Sequence, residues 1–187
     1  VQIQVASAVH RYMVDPSAFN LPSEVDLHRD VIGSALLDVM VGLVPKVSVR
    51  ESSDRNLGRA TLTCAVPLTG DLAGVLRIGM NEPMITCCYK HMTGEDKPSE
   101  ADVYDTLAEV SNMLAGSIVR RLEDLSLAVE LGLPMIASEE MAVSSRRPMK
   151  YLSFVYEVRG LFVEDEIRAT FAFSNSTRWS NGPLSRR

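Results

Sequence analysis

From Ser99 to Asp124 the chain carries two lengthwise stripes that only a helix brings together. Val103, Leu107, Val110, Leu114 and Ile118 recur at spacings of four, three, four and four, which at about 100° per residue makes one apolar face. Asp105, Glu109, Asn112 and Gly116 recur at four, three and four, and their stripe is centred about 170–180° away. A segment so patterned has one face on a core and the other turned outward. Ser99 suits the capping position, and Glu100 and Asp102 suit the positive end of the helix dipole.

The outer stripe is not the one that stability alone would select. A single Glu there is an ordinary solvated residue. Asn is an indifferent helix former that favours caps and turns, yet Asn112 sits in the middle of the helix. Gly116 costs about another 1 kcal/mol relative to Ala. A purely structural face gains nothing from an amide and a bare backbone at adjacent turns, whereas small residues leave room for something to dock. Glu109 and Asn112, one turn apart, are therefore the candidate functional pair.

A second long helix is expected from Ser23 to about Gly42, with Pro45 marking its end. Its second half (Ala35, Leu36, Leu37, Val39, Met40, Val41, Leu43) is apolar on nearly every side, which predicts deep burial. Short alternating runs predict strands at Lys46–Arg50, Arg59–Val66, Ala73–Met80, Met135–Ser138, Tyr151–Val158 and Glu166–Phe173. Thr69-Gly70-Asp71 reads as a turn, and Pro83–Thr93 as a short helix closed by Gly94. The segment Asp26 to Ser34 aligns without gaps on Glu109 to Ser117, matching at Gly33/Gly116 and Ser34/Ser117. Each long helix is followed by a proline and then strands. The expected architecture is α+β, with two pseudo-repeated helix-plus-strands units sharing one mainly antiparallel sheet packed by the long helices. Residues 23–174 then form a single domain, preceded by an N-terminal extension of obscure role over 1–22 and followed by a polar C-terminal tail over 175–187.

Composition narrows the function by exclusion. With 187 residues the chain can bury one real core. A formal net charge of -5 argues against nucleic acid and against an anionic membrane surface, both of which attract excess Lys and Arg. No apolar run approaches the roughly 20 residues that cross a bilayer. Val1–Val14 is broken by Gln2, Gln4, His10 and Arg11 and does not read as a signal peptide. Cys64, Cys87 and Cys88 are expected as buried, reduced thiols, which fits the cytoplasm. His10, His28 and His91 stand in no metal-ligand spacing, so no metal site is expected. A small-molecule or metal enzyme is disfavoured, because the chain offers neither a phosphate-cradling glycine loop nor a ligand cluster.

Asp105-x3-Glu109-x2-Asn112, continuing Met-Leu-Ala-Gly-Ser and later reaching Pro134, resembles the signature of the CheC/CheX/FliY family of chemotaxis phosphatases, and CheX-like members most. Thr69-Gly-Asp-Leu-Ala-Gly-Val-Leu-Arg-Ile resembles the family's glycine-marked hairpin, and His91-Met-Thr-Gly-Glu precedes the long helix. The similarity spans roughly Asp26 to Phe173, and the gap from Asn112 to Pro134 is about one residue short of the family spacing. CheC-like members carry two such motifs and CheX-like members one. Here Asp26-x-x-Arg29 stands in the first position, and an Arg cannot replace an Asn amide, so a single site is expected.

The resemblance implies a CheC-like fold and hydrolysis of the aspartyl phosphate of a CheY-like receiver domain. In that picture Asn112 orients the attacking water, as a Gln does in some GTPases, and Glu109 pairs with the receiver's lysine. Asp105 and Gly116 support docking, and Pro134 shapes a loop. This chain would bind no cofactor of its own, the receiver carrying the Mg2+. CheX relatives form homodimers through sheet edges, which implies a homodimer here, with the alternating Tyr151–Val158 strand offering an edge. The alternative is a non-catalytic adaptor that binds phosphorylated receivers.

Overall fold

Two hairpins, one turning at Gly70 and the other at Gly160, pair with each other through their second strands and so make the centre of the sheet. The computed structural model describes residues 22–52, 62–137 and 149–174, with only the backbone described for 22–28, 137, 149–151 and 174. Of the expected extension over 1–22 only Pro22 is described, as the first residue of α1, and the tail over 175–187 lies outside the described residues. In chain order the elements are α1 (Pro22–Leu43), β1 (Ser48–Glu51), β2 (Leu62–Gly70), β3 (Gly74–Met80), α2 (Glu82–Thr93), α3 (Glu100–Asp124), β4 (Val129–Leu131), β5 (Met135–Ala137), β6 (Met149–Arg159) and β7 (Glu164–Ser174).

All described strand pairs are antiparallel, in the order β1-β6-β7-β3-β2-β4, with β5 also on β2 beside β4. The strand that follows α1 thus joins the second unit's hairpin, and the strands that follow α3 join the first unit's. The two units exchange their outer strands, and this exchange closes them into one sheet. Strand β4 has no counterpart among the sequence expectations. Among the described residues the expected edge Tyr151–Val158 is covered only in part: β7 pairs with β6 along one side, while on the other side β1 reaches only Tyr156–Arg159. Alternation reports which face of a strand is buried; it carries no information about neighbours.

Directly opposed residues share a sheet face. Cys64, Ile78, Ala169 and Phe154 form one such row and Val66, Leu76, Phe171 and Leu152 another, all buried beneath the helices. The other face is more polar, with Ser153 and Thr170 hydroxyls hydrogen-bonded at 2.8 Å. Helix α1 buries Ile32, Ala35, Leu36, Val39, Met40 and Leu43, as its composition requires. Its C-terminal half is not sealed on every side, however, since Val41 is 63% exposed. Arg121 of α3 pairs with Asp38 of α1, fixing the two long helices side by side.

Two glycines are required by backbone geometry. Gly70 has φ +94 and would place a Cβ 2.3 Å from the Ala128 carbonyl oxygen. Gly94 closes α2 in the left-handed region at φ +80, its N–H donating to the Lys90 carbonyl at 2.8 Å. The cysteines are all free; Cys64 and Cys88 are buried, while Cys87 is only half-buried.

Candidate functional site

Helix α3 begins at a complete capping box. The Asp102 N–H donates to Ser99 Oγ at 3.2 Å, and the Ser99 N–H donates to the Asp102 carboxylate at 2.8 Å. The Ser99 hydroxyl also donates to that carboxylate at 2.7 Å, and with the Ser99 N–H it holds the Asp102 carboxyl below its usual range. The whole predicted apolar stripe, Val103, Leu107, Val110, Leu114 and Ile118, is buried. At about 1.5–3 kcal/mol for each side chain taken out of water, that stripe fixes the roll of the helix. The fraction of a kcal/mol lost to Asn112 and the ~1 kcal/mol lost to Gly116 are small against it.

The opposite face is therefore presented by necessity. Asp105, Glu109 and Asn112 are exposed on three successive turns, and none of them makes a hydrogen bond or ion pair among the described residues. A Cβ added at Gly116 would meet nothing within 4 Å. The pair Glu109 and Asn112 thus stands side by side above an open stretch of backbone. Pro134 lies half-buried in the connection between β4 and β5, where Gly132 donates its N–H to the Pro67 carbonyl at 2.8 Å.

The matching face of α1 is built differently. Arg29, aligned with Asn112, is 8% exposed, and its Nε lies 3.0 Å from Glu51 Oε2 of β1. The Tyr156 hydroxyl donates to the Arg29 carbonyl at 3.2 Å. Burial, with the Glu51 carboxylate nearby, pushes the Tyr156 phenol well above its ordinary range. A Cβ at Gly33, aligned with Gly116, would come within 3.3 Å of the Tyr156 ring. One unit turns its motif face onto the sheet, and the other leaves it free. The sequence showed the Asn-to-Arg change but gave no sign that the surrounding face was closed, because the closing groups come from β1 and β6.

The described residues form a seven-stranded antiparallel sheet with two pseudo-equivalent long helices on one face, and this fold matches those of solved CheX, CheC-like and FliY proteins. Residues 62–157 match the family described as chemotaxis phosphatase CheX, and the chain belongs to that family. It is similar to the chemotaxis protein CheX of Vibrio vulnificus, with 15% identity, a TM-score of 0.60, and 76% of this chain and 94% of that one covered. It is similar also to CheX of Borrelia burgdorferi, solved in a complex with CheY, BeF3 and Mg2+, at 17% identity, TM-score 0.54, and 81% and 97% coverage. For Thermotoga maritima FliY the values are 14%, 0.59, and 84% and 92%. No curated protein sequence matches the chain significantly. Among the described residues no helix is long and apolar enough to cross a membrane, and no cluster of three or more His, Cys, Asp or Glu is placed to hold a metal.

Proposed function

We propose that this protein hydrolyses the aspartyl phosphate of a CheY-like receiver domain through a single site on α3. The observation that carries the reading is the adjacent, exposed and unengaged pair Glu109 and Asn112, with open backbone at Gly116 one turn further on. Membership of a chemotaxis phosphatase family supports it, as does the similarity to a CheX crystallised with CheY, BeF3 and Mg2+.

The chemistry asks little of this chain. An acyl phosphate is already activated, and the receiver brings Mg2+ and a lysine to the phosphoryl oxygens. Water attacks phosphorus, the bond to the aspartyl oxygen breaks, and the products are a free carboxylate and inorganic phosphate. What remains to be supplied is a water held in line, and positioning of this kind is worth several kcal/mol. The Asn112 amide both donates and accepts, and it is neutral, so it orients water without repelling the phosphoryl group. Glu109 pairs with the receiver's lysine; its charge is desolvated only in the complex, where such a pair is worth more than on an open surface. Asp105 assists docking from the turn before, and Gly116 gives the receiver its clearance. The protein works in the cytoplasm as a homodimer joined through a sheet edge, binds no cofactor itself, and meets Mg2+ on its partner.

The test is the rate at which a phosphorylated CheY-like receiver from the same genome loses phosphate, with and without this protein. Acceleration that disappears in Asn112→Ala while binding persists is the expected result. Binding without acceleration by the wild-type protein would make it an adaptor for phosphorylated receivers instead.

A further inference from the structure

The register of β5 decides where its side chains point. Ile136 is paired directly opposite Cys64, so both rise on the α3 side of the sheet, whereas Met135, opposite Ala65, points to the other side. Cys64 and Ser111 of α3 are both fully buried between helix and sheet. Ile136 stands one strand spacing, about 5 Å, further out than Cys64. The flank leading from Ser111 to Asn112 is the one away from α1, because Arg121, which pairs with Asp38, lies about 80° from Ser111 in the other direction around the helix.

A further 100° around α3 from Ser111 leads over the top of that flank to Asn112. Met113, another 100° on, faces the α1 and α2 side. Asn112 is thus the outer-face residue turned toward β5. Ile136, on the α3 side of the sheet, is 38% exposed, and Leu133, in the connection just before β5, is 84% exposed. The segment that carries them is fixed at both ends, since β4 and β5 both pair with β2 and Gly132 is bonded to Pro67.

We infer that Leu133 and Ile136 are the apolar anchor of the receiver-docking surface, seating an apolar patch that borders the receiver's phosphorylated aspartate. The inference rests on the proposed function of α3 and adds what that face lacks. Asp105, Glu109 and Asn112 are solvated polar groups, and exposed charges contribute little affinity. Binding energy concentrates in a few apolar side chains that become desolvated next to the polar contacts. A second copy of the chain is the weaker occupant. Two side chains fall far short of the ~800 Å² per partner that a stable interface covers. Their area becomes useful only when continued across α3, and what covers α3 is the receiver.

The experiment titrates a CheY-like receiver carrying BeF3 and Mg2+ against wild type, Leu133→Ser, Ile136→Ser and Asn112→Ala, with turnover of the phosphorylated receiver and solution mass measured in parallel. Leu133→Ser is expected to weaken binding about tenfold and to raise KM accordingly, with kcat kept and mass unchanged; Ile136→Ser should do the same. Asn112→Ala should bind and fail to turn over. Wild-type affinity in both Ser variants would overturn the anchor while leaving the phosphatase reading standing. A drop in mass in either would assign the strip to contact between copies instead. A wild-type protein that binds no receiver would overturn the phosphatase reading and the anchor with it.

Discussion

Arg29 and Glu51 form an ion pair with Nε 3.0 Å from Oε2 and side chains only 9% and 10% exposed. It lies on the face of α1 that corresponds to the Asn112 face of α3, and it locks that face onto β1. Removing one partner leaves a buried charge without its counterpart, which typically costs about 3–5 kcal/mol. Glu51→Ala should therefore lower unfolding stability by about 3 kcal/mol in a denaturant titration, while the solvated α3 face keeps its composition and any folded fraction keeps its turnover.

The same closure predicts that Arg29→Asn does not restore a second site. The new amide would sit under the Tyr156 ring, whose hydroxyl already bonds the residue 29 carbonyl and whose edge lies against Gly33. Turnover per chain should stay at the single-site level in Arg29→Asn. A doubling would show that the α1 face is open to a receiver.

Gly116 separates stability from function most directly. A methyl there meets nothing within 4 Å, so Gly116→Ala should stabilise the protein by roughly 0.5–1 kcal/mol through helix propensity alone. Gly116→Trp should fold equally well yet bind the receiver at least tenfold more weakly, because it fills the clearance next to Asn112. Thermal melts and a receiver titration on both variants decide the point. Equal binding by Gly116→Trp would mean that the receiver does not approach this turn.

What the sequence revealed, and what it withheld, follows from the range of each signal. Helix α3 was legible in full because Val103 to Ile118 and Asp105 to Gly116 repeat within one element, and its start was legible because Ser99 and Asp102 act locally. Glu109 and Asn112 emerged from the same pattern as a solvated pair, and their exposure follows from the roll of the helix. The pairing of β1 with β6 was not legible, because Ser48 and Arg159 are brought together by the exchange of strands between units and by no local preference. Strand β4, only Val129–Leu131, is too short to alternate visibly. The exposure of Leu133 and Ile136 depends on β5 ending the sheet beside α3, a fact of topology; read alone, Leu133-Pro134-Met135-Ile136 looks like the start of a core strand.

The thiols give a last prediction, in which burial sets both reactivity and pH dependence. Burial pushes the Cys88 thiol up to about 12, with Cys87 beside it adding to the rise. Burial also raises Cys64, partly offset by the Ser111 hydroxyl and the Met135 backbone. Cys87 is raised by burial too, but it is only half-buried and Lys90 counteracts the rise. At pH 8 a thiol-labelling reagent should therefore modify Cys87 first, with Cys64 and Cys88 reacting only as the protein unfolds. Above pH 9 the unfolded chain releases the Cys88 proton while the folded protein retains it, so the unfolded state is favoured and stability falls as pH rises from 9 toward 12. In Cys88→Ala that decline should be shallower, at the expense of about 1 kcal/mol at neutral pH for the lost packing. Denaturation midpoints of both proteins between pH 7 and pH 10 check it; parallel curves would mean that the Cys88 thiolate is as well accommodated in the folded core as in water.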